Sequence, residues 1–228
     1  MDDRRATPIR RALGAGAALT LAIALAGGCS TFIGTTALSF LSKVRESPDP
    51  NIRYLAYSKL GSLNCYEGED QKAEAARLLS EKLQGRKEPA ASRAVICRTL
   101  AALRRPEARP AILGALDDAD PLIRMEACRA LGQVGRSEDW TPLGRIMAAD
   151  NSLDCRVAAI ESVGALKPSD PRALVSLVDG MEDRDPAIRL ASLKALRAVT
   201  GKDLGTQVGP WRKLAERAPT QADPKVKR

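Results

Sequence analysis

The chain has 228 residues, 44% of them apolar but only 3% aromatic, so any core it forms is built from Ala, Leu, Val and Ile. It contains no histidine, which excludes Ser-His-Asp and Cys-His nucleophile activation, imidazole general bases and His-ligated metals. The formal charge of +8 is spread along the chain, not gathered in a basic stripe interleaved with aromatics, so no nucleic-acid partner is expected.

Arg4, Arg5, Arg10 and Arg11 precede a charge-free stretch, Ala12 to Gly28, that ends in Leu25-Ala26-Gly27-Gly28-Cys29-Ser30. A basic start, an apolar middle and a small-residue end read, in that order, as an export signal over 1–28. The small residues before Cys29 resemble a bacterial lipobox, although Ala26 stands where that pattern prefers Leu. The resemblance implies a covalent lipid on Cys29, no other cofactor, and a membrane-anchored chain facing the periplasm. Ser30 in place of the usual retention Asp leans toward the outer membrane. The competing reading is an uncleaved membrane helix, because no charged residue occurs from Ala12 through Ser42, longer than the ~20 residues a span needs. On the first reading, 29–34 is a short tether.

A repeat follows. Arg53, Arg93, Arg124, Arg156 and Arg189 are spaced by 40, 31, 32 and 33 residues, a period that signals a helical solenoid. Residues at offsets −1, +3, +7 and +10 from each arginine are mostly apolar and share one helical face: Ile123, Ala127, Leu131 and Val134 around Arg124 are typical. Each such helix begins at a capping signal, Asp49-Pro50, Glu88-Pro89, Asp120-Pro121, Asn151-Ser152 or Asp185-Pro186, where a side-chain oxygen accepts from first-turn amides and Pro loses no bond. A second apolar-periodic segment precedes each one. The expected fold is all-α, a right-handed α-solenoid of about five helix pairs at 35–63, 69–103, 106–134, 137–166 and 170–199.

The stretches Asp118 to Gly132 and Asp183 to Arg197 resemble the short bacterial form of the HEAT repeat, a form shared by phycobilisome-lyase-like proteins. That resemblance spans 35–199. It implies that an Asp six residues before each frame arginine pairs with arginines along the stack, and Asp118/Arg124, Asp150/Arg156 and Asp183/Arg189 fit. Ser47 and Lys87 occupy the same place in the first two units, which predicts a ladder incomplete at the amino-terminal end. The arginines are read as links between repeats, not as ligand contacts.

Thr200 to Gly205 leads to Pro210-Trp211, a tail similar to those of envelope HEAT-repeat proteins of planctomycete type. Residues 200–218 are expected to cap the last repeat, with Trp211 over its apolar end, and the polar 219–228 to be disordered. Of the cysteines after Cys29, Cys97 and Cys128 fall in one column of successive units and read as small core residues. Bridges 65–97 or 128–155 stay open.

Five residues after the frame arginines stand Ser58, Arg98, Arg129, Glu161 and Lys194. This mainly basic column, Arg98, Arg129, Glu161 and Lys194 above all, is the candidate contact stripe for a protein partner. No catalytic or metal-ligating set emerges. The function expected is a membrane-anchored, non-enzymatic interaction scaffold of the bacterial cell envelope; the alternatives are a HEAT-like lyase or other enzyme accessory subunit, or a HEAT protein with an amino-terminal membrane span.

Overall fold

A computed structural model of the chain describes residues 34–217. The stretch read as an export signal, Cys29, all but the last residue of the expected tether, and the 219–228 tail lie outside the described residues. Five helix pairs run in order: α1 (Ala37–Glu46) with α2 (Pro50–Lys59), α3 (Glu69–Gln84) with α4 (Ala90–Leu103), α5 (Arg109–Ala115) with α6 (Pro121–Val134), α7 (Trp140–Ala149) with α8 (Leu153–Leu166), and α9 (Pro171–Gly180) with α10 (Pro186–Thr200). A last helix, α11 (Val208–Arg217), follows. Among the described residues no strand occurs, and no helix is long and apolar enough to cross a membrane.

Local chemistry sets the starts of the second helices. The side chains of Asp49, Asp120 and Asp185 accept from the amides of Asn51, Leu122 and Ala187, and Pro fills the next position. Ser152 plays this part for α8, accepting from Cys155. The expected start at Glu88-Pro89 shifts by one residue: Pro89 itself is the N-cap of α4 and no side chain caps it. Glu88 is engaged elsewhere, as described below.

The second helices α2, α4, α6, α8 and α10 each pack on the next, forming a continuous layer, and the first helices line its other side. An inner second helix therefore has neighbours on several sides. For α4 this buries Ser92, Val95, Ile96, Thr99, Leu100 and Leu103, a wider surface than the single stripe read from the sequence. The +3 column, from Ala56 to Ser192, is fully buried in all five units. The +10 column is less regular: Leu63 is 51% exposed because α2 ends at Lys59 and Leu63 falls in a short 3-10 turn.

Close approach of successive second helices depends on small residues eight and six positions after the frame arginine. A Cβ on Gly132 would stand 2.9–3.1 Å from atoms of Ser162, and one on Gly164 would stand 3.0 Å from the Ala195 Cα. Hydroxyls cross the same seam: Thr99 donates to the Tyr57 carbonyl at 2.8 Å and Ser162 to the Cys128 carbonyl at 2.7 Å. At the carboxyl-terminal end α11 packs on α9. Trp211 is 1% exposed there and its indole N–H donates to the Gly205 carbonyl at 2.9 Å, so the cap is held by packing and by a satisfied polar tip.

Two glycine substitutions separate these effects. Gly164→Val should destabilise the fold by about 1–3 kcal/mol through overpacking against α10. Gly114→Ala, in an open helical position where a Cβ meets nothing within 4 Å, should stabilise it by about 0.5–1 kcal/mol. Denaturant melts of the two variants check both signs.

Candidate functional site

The frame arginines sit one turn into each second helix and reach forward to the next unit. Arg124 places Nε and Nη2 on the two carboxylate oxygens of Asp150, at 2.7 and 2.9 Å, while its Nη1 donates to the carbonyls of Asp118 and Ala119 at 2.9 and 3.0 Å. Arg53 does the same, with Nε and Nη2 on Glu88 and Nη1 on the carbonyls of Ser47 and Pro48. Arg93 pairs with Asp118, and Arg156 with Asp183. The side-on geometry leaves a planar guanidinium with donors used on both edges.

Each rung aspartate also shapes its own loop. Asp118, Asp150 and Asp183 accept, through one oxygen, the amides of Asp120, Ser152 and Asp185 at 3.0, 2.8 and 2.8 Å. One carboxylate thus closes a turn within its unit and receives the arginine of the unit before it. Ser47, with no unit before it among the described residues, accepts the Asp49 amide at 3.3 Å.

The expected gap at the amino-terminal end is corrected by these contacts. Lys87 does occupy the usual acidic position, but Glu88, one residue later and one methylene longer than Asp, supplies the carboxylate for Arg53. The ladder is instead open at its other end. Arg189 donates to the carbonyls of Asp183 and Arg184 at 3.0 and 2.9 Å, and among the described residues no carboxylate meets it.

The Arg124 hydrogen bonds hold the Asp150 carboxyl below its ordinary range against the opposing effect of burial. Asp183 is also lowered, first by the Asp185 amide and then by Arg156. In the first-helix layer, Arg109 Nε donates to Asp139 at 2.7 Å, and the Arg136 amide donates to the same carboxylate at 2.8 Å. Burial is the largest influence on Asp139 and would raise it, but these donors together bring it below the usual carboxylate range. No column in the sequence marked this pair.

The contact-stripe residues Arg98, Arg129, Glu161 and Lys194 are all exposed. Only the first two converge, on Glu126, a residue with 6% of its surface accessible. Arg98 Nε stands 3.8 Å and Arg129 Nη1 3.5 Å from its oxygens. These groups, with Ala101, Ala102 and Gln133, line a groove of about 370 Å³ between α4 and α6. Glu161 and Lys194 lie outside it. Glu126 stands two residues after its frame arginine, where the other units carry Leu55, Val95, Ala158 and Ala191; a lone acid in an apolar column was the signal that could have found it.

The cysteines Cys65, Cys97, Cys128 and Cys155 are all free, so neither the 65–97 nor the 128–155 bridge forms. Burial pushes the Cys97 thiol up to about 12 and also raises Cys128. Among the described residues no group of Cys, Asp and Glu is arranged to hold a metal ion.

The stacked pairs and their arginine-to-acid relay define an α-solenoid of helix-pair repeats. The profile of the family described as HEAT repeats matches residues 76–164, from within α3 to near the end of α8. A similar solved structure is that of the complex of CpcE and CpcF of phycocyanin lyase from Nostoc sp. PCC7120, with a TM-score of 0.61 and 17% identity, covering 77% of this chain and 69% of that one. At that identity the likeness is one of fold. No curated protein matches in sequence.

Removal of one rung gives a direct measure of the relay. Arg124→Ala should cost about 1–3 kcal/mol, since it leaves Asp150 without its main partner in a site with little solvent access. Because the folded pKa of Asp150 lies below its unfolded value of about 3.9, the rung's contribution is complete above roughly pH 5 and is lost as pH falls through the folded value. The variant should therefore lose less stability than wild type on acidification, and an unchanged melt at neutral pH would contradict the structural role. Among the four core-region thiols, Cys65, the most accessible, should react first with a thiol reagent, while Cys97 and Cys128 should react only on unfolding.

Proposed function

We propose that this chain is a non-enzymatic interaction scaffold of a bacterial cell envelope, tethered by a lipid on Cys29 and facing the periplasm. The observation that carries the scaffold reading is the exposed edge of the second-helix layer, where the side chains of Arg98, Arg129, Glu161 and Lys194 project at one offset from consecutive units. Solenoids use such extended surfaces to hold partners. The tether reading rests on the order of basic, apolar and small segments before Cys29. From Cys29 to the start of the array is about six residues, a reach of at most ~20 Å, so the scaffold works close to the lipid surface. An outer-membrane position is favoured by Ser30.

A second reading, an accessory subunit in an enzyme assembly, draws on the likeness to the phycocyanin-lyase complex. Under it, the captured partner is itself an enzyme, and the same edge does the holding.

Two measurements bear on these readings. Metabolic palmitate labelling should mark the wild-type chain and vanish in Cys29→Ser; labelling that persists would refute the lipid assignment and leave the scaffold intact. Capture from solubilised membranes should lose its specific partner when Arg98 and Arg129 are both changed to Glu. Retention of every partner would remove the edge from the interaction.

A further inference from the structure

Glu126 is a charged side chain in a column that is otherwise apolar. The residue is 6% exposed, its carboxylate oxygens keep access to the groove, and among the described residues it receives no donor at ordinary hydrogen-bond distance. A buried acid so weakly satisfied destabilises the fold relative to an apolar residue of similar size. The two nearest cations share the deficit. Arg98 and Arg129 have 58% and 50% of their side chains exposed and stop 3.8 and 3.5 Å short of the acid, so each guanidinium also keeps donors free.

Unmet donors and an unmet acceptor therefore line the same groove, together with the exposed amide of Gln133. A ligand with only a carboxylate would satisfy the arginines but leave Glu126 stranded. A ligand with only a cation would do the reverse. An acidic residue within an extended peptide offers both: its side-chain carboxylate accepts from Arg98 and Arg129, and its own main-chain N–H donates to Glu126. One apolar side chain stands along the same edge on the neighbouring unit, Tyr54 of α2, 37% exposed in the +1 column. A strand-like segment laid across the second helices would meet it.

We infer that the groove between α4 and α6 is the recognition point for an acidic residue of an extended partner segment, with Glu126 as the acceptor for that residue's amide and Arg98 and Arg129 as a paired clamp on its carboxylate. This deepens the scaffold reading by naming the partner's chemistry and rests on that reading.

The test uses the full chain in detergent and three fluorescent capped hexapeptides: alternating Ala-Asp, alternating Ala-Asn, and the Ala-Asp form N-methylated at each Asp. Anisotropy should show binding of the first that weakens with salt, no measurable binding of the second, and about tenfold weaker binding of the third, the loss of one charge-assisted bond. Glu126→Leu should raise the melting temperature and weaken the Ala-Asp peptide about tenfold. Arg98→Gln/Arg129→Gln should abolish binding while the helical fold persists with a lower melting temperature. Equal binding of the Ala-Asn peptide, indifference to N-methylation, or tighter binding by Glu126→Leu would overturn the inference, the last because Glu126 would then be only an internal counter-ion. Free L-glutamate that displaces nothing supports a peptide ligand, and free L-glutamate that binds as tightly as the peptide overturns it. Failure of these peptides with partner capture still sensitive to the edge would retire this groove chemistry without touching the scaffold reading.

Discussion

A helix pair of about thirty residues cannot cover its own apolar face, so every unit of this chain is stable only because the next one lies against it. That requirement falls most heavily on the second helices. They must come close enough to exclude water along their length, and small side chains at Gly132, Ser162, Gly164 and Ala195 allow it. The arginine relay lies at one end of the same seam. Arg53, Arg93, Arg124 and Arg156 each tie one unit's helix to the next unit's turn, and the turn in question is shaped by the acid that receives the arginine in three of the four rungs. Register between units and geometry within a unit are thereby set by one group.

The relay has a direction, and its two ends differ. Ser47 stands where the first unit has no arginine to receive, and Arg189 stands where the last unit has no carboxylate to meet among the described residues. The end of α10 differs from the inner helices in another way. The position eight after the frame arginine, glycine in the first, third and fourth units, is Arg197, which pairs with Asp203. A side chain of that size precludes the close approach seen at Gly132 and Gly164. Trp211 then covers the first-helix layer beside it, so the array terminates by substitution at the seam and by a packed ring at the flank.

Much of this was legible because the repeat imposes columns. The frame arginines, the Asp-Pro starts and the +3 and +7 apolar positions recur at fixed offsets, and a recurring requirement leaves a recurring residue. What escaped did so for physical reasons. Glu88 was hidden because a longer side chain one position away can deliver a carboxylate to the same point. Arg109 and Asp139 were hidden because first helices vary in length, from seven residues in α5 to sixteen in α3, and have no common register. Glu126 was visible only as an exception, a charge in a column where apolar residues are the rule. Such exceptions deserve weight in a repeat protein, since the fold itself gives no reason for them.

If the exposed edge of the second helices is where the chain does its work, contacts made in the cell should map to that edge. Site-specific photo-crosslinking tests this most directly, with a photoreactive side chain placed at Ser58, Glu161 or Lys194 on the edge and at Glu81 or Val175 in the first-helix layer. Adducts with one protein from the edge positions, and none from the first-helix positions, are predicted. Adducts confined to the first-helix layer would contradict the account.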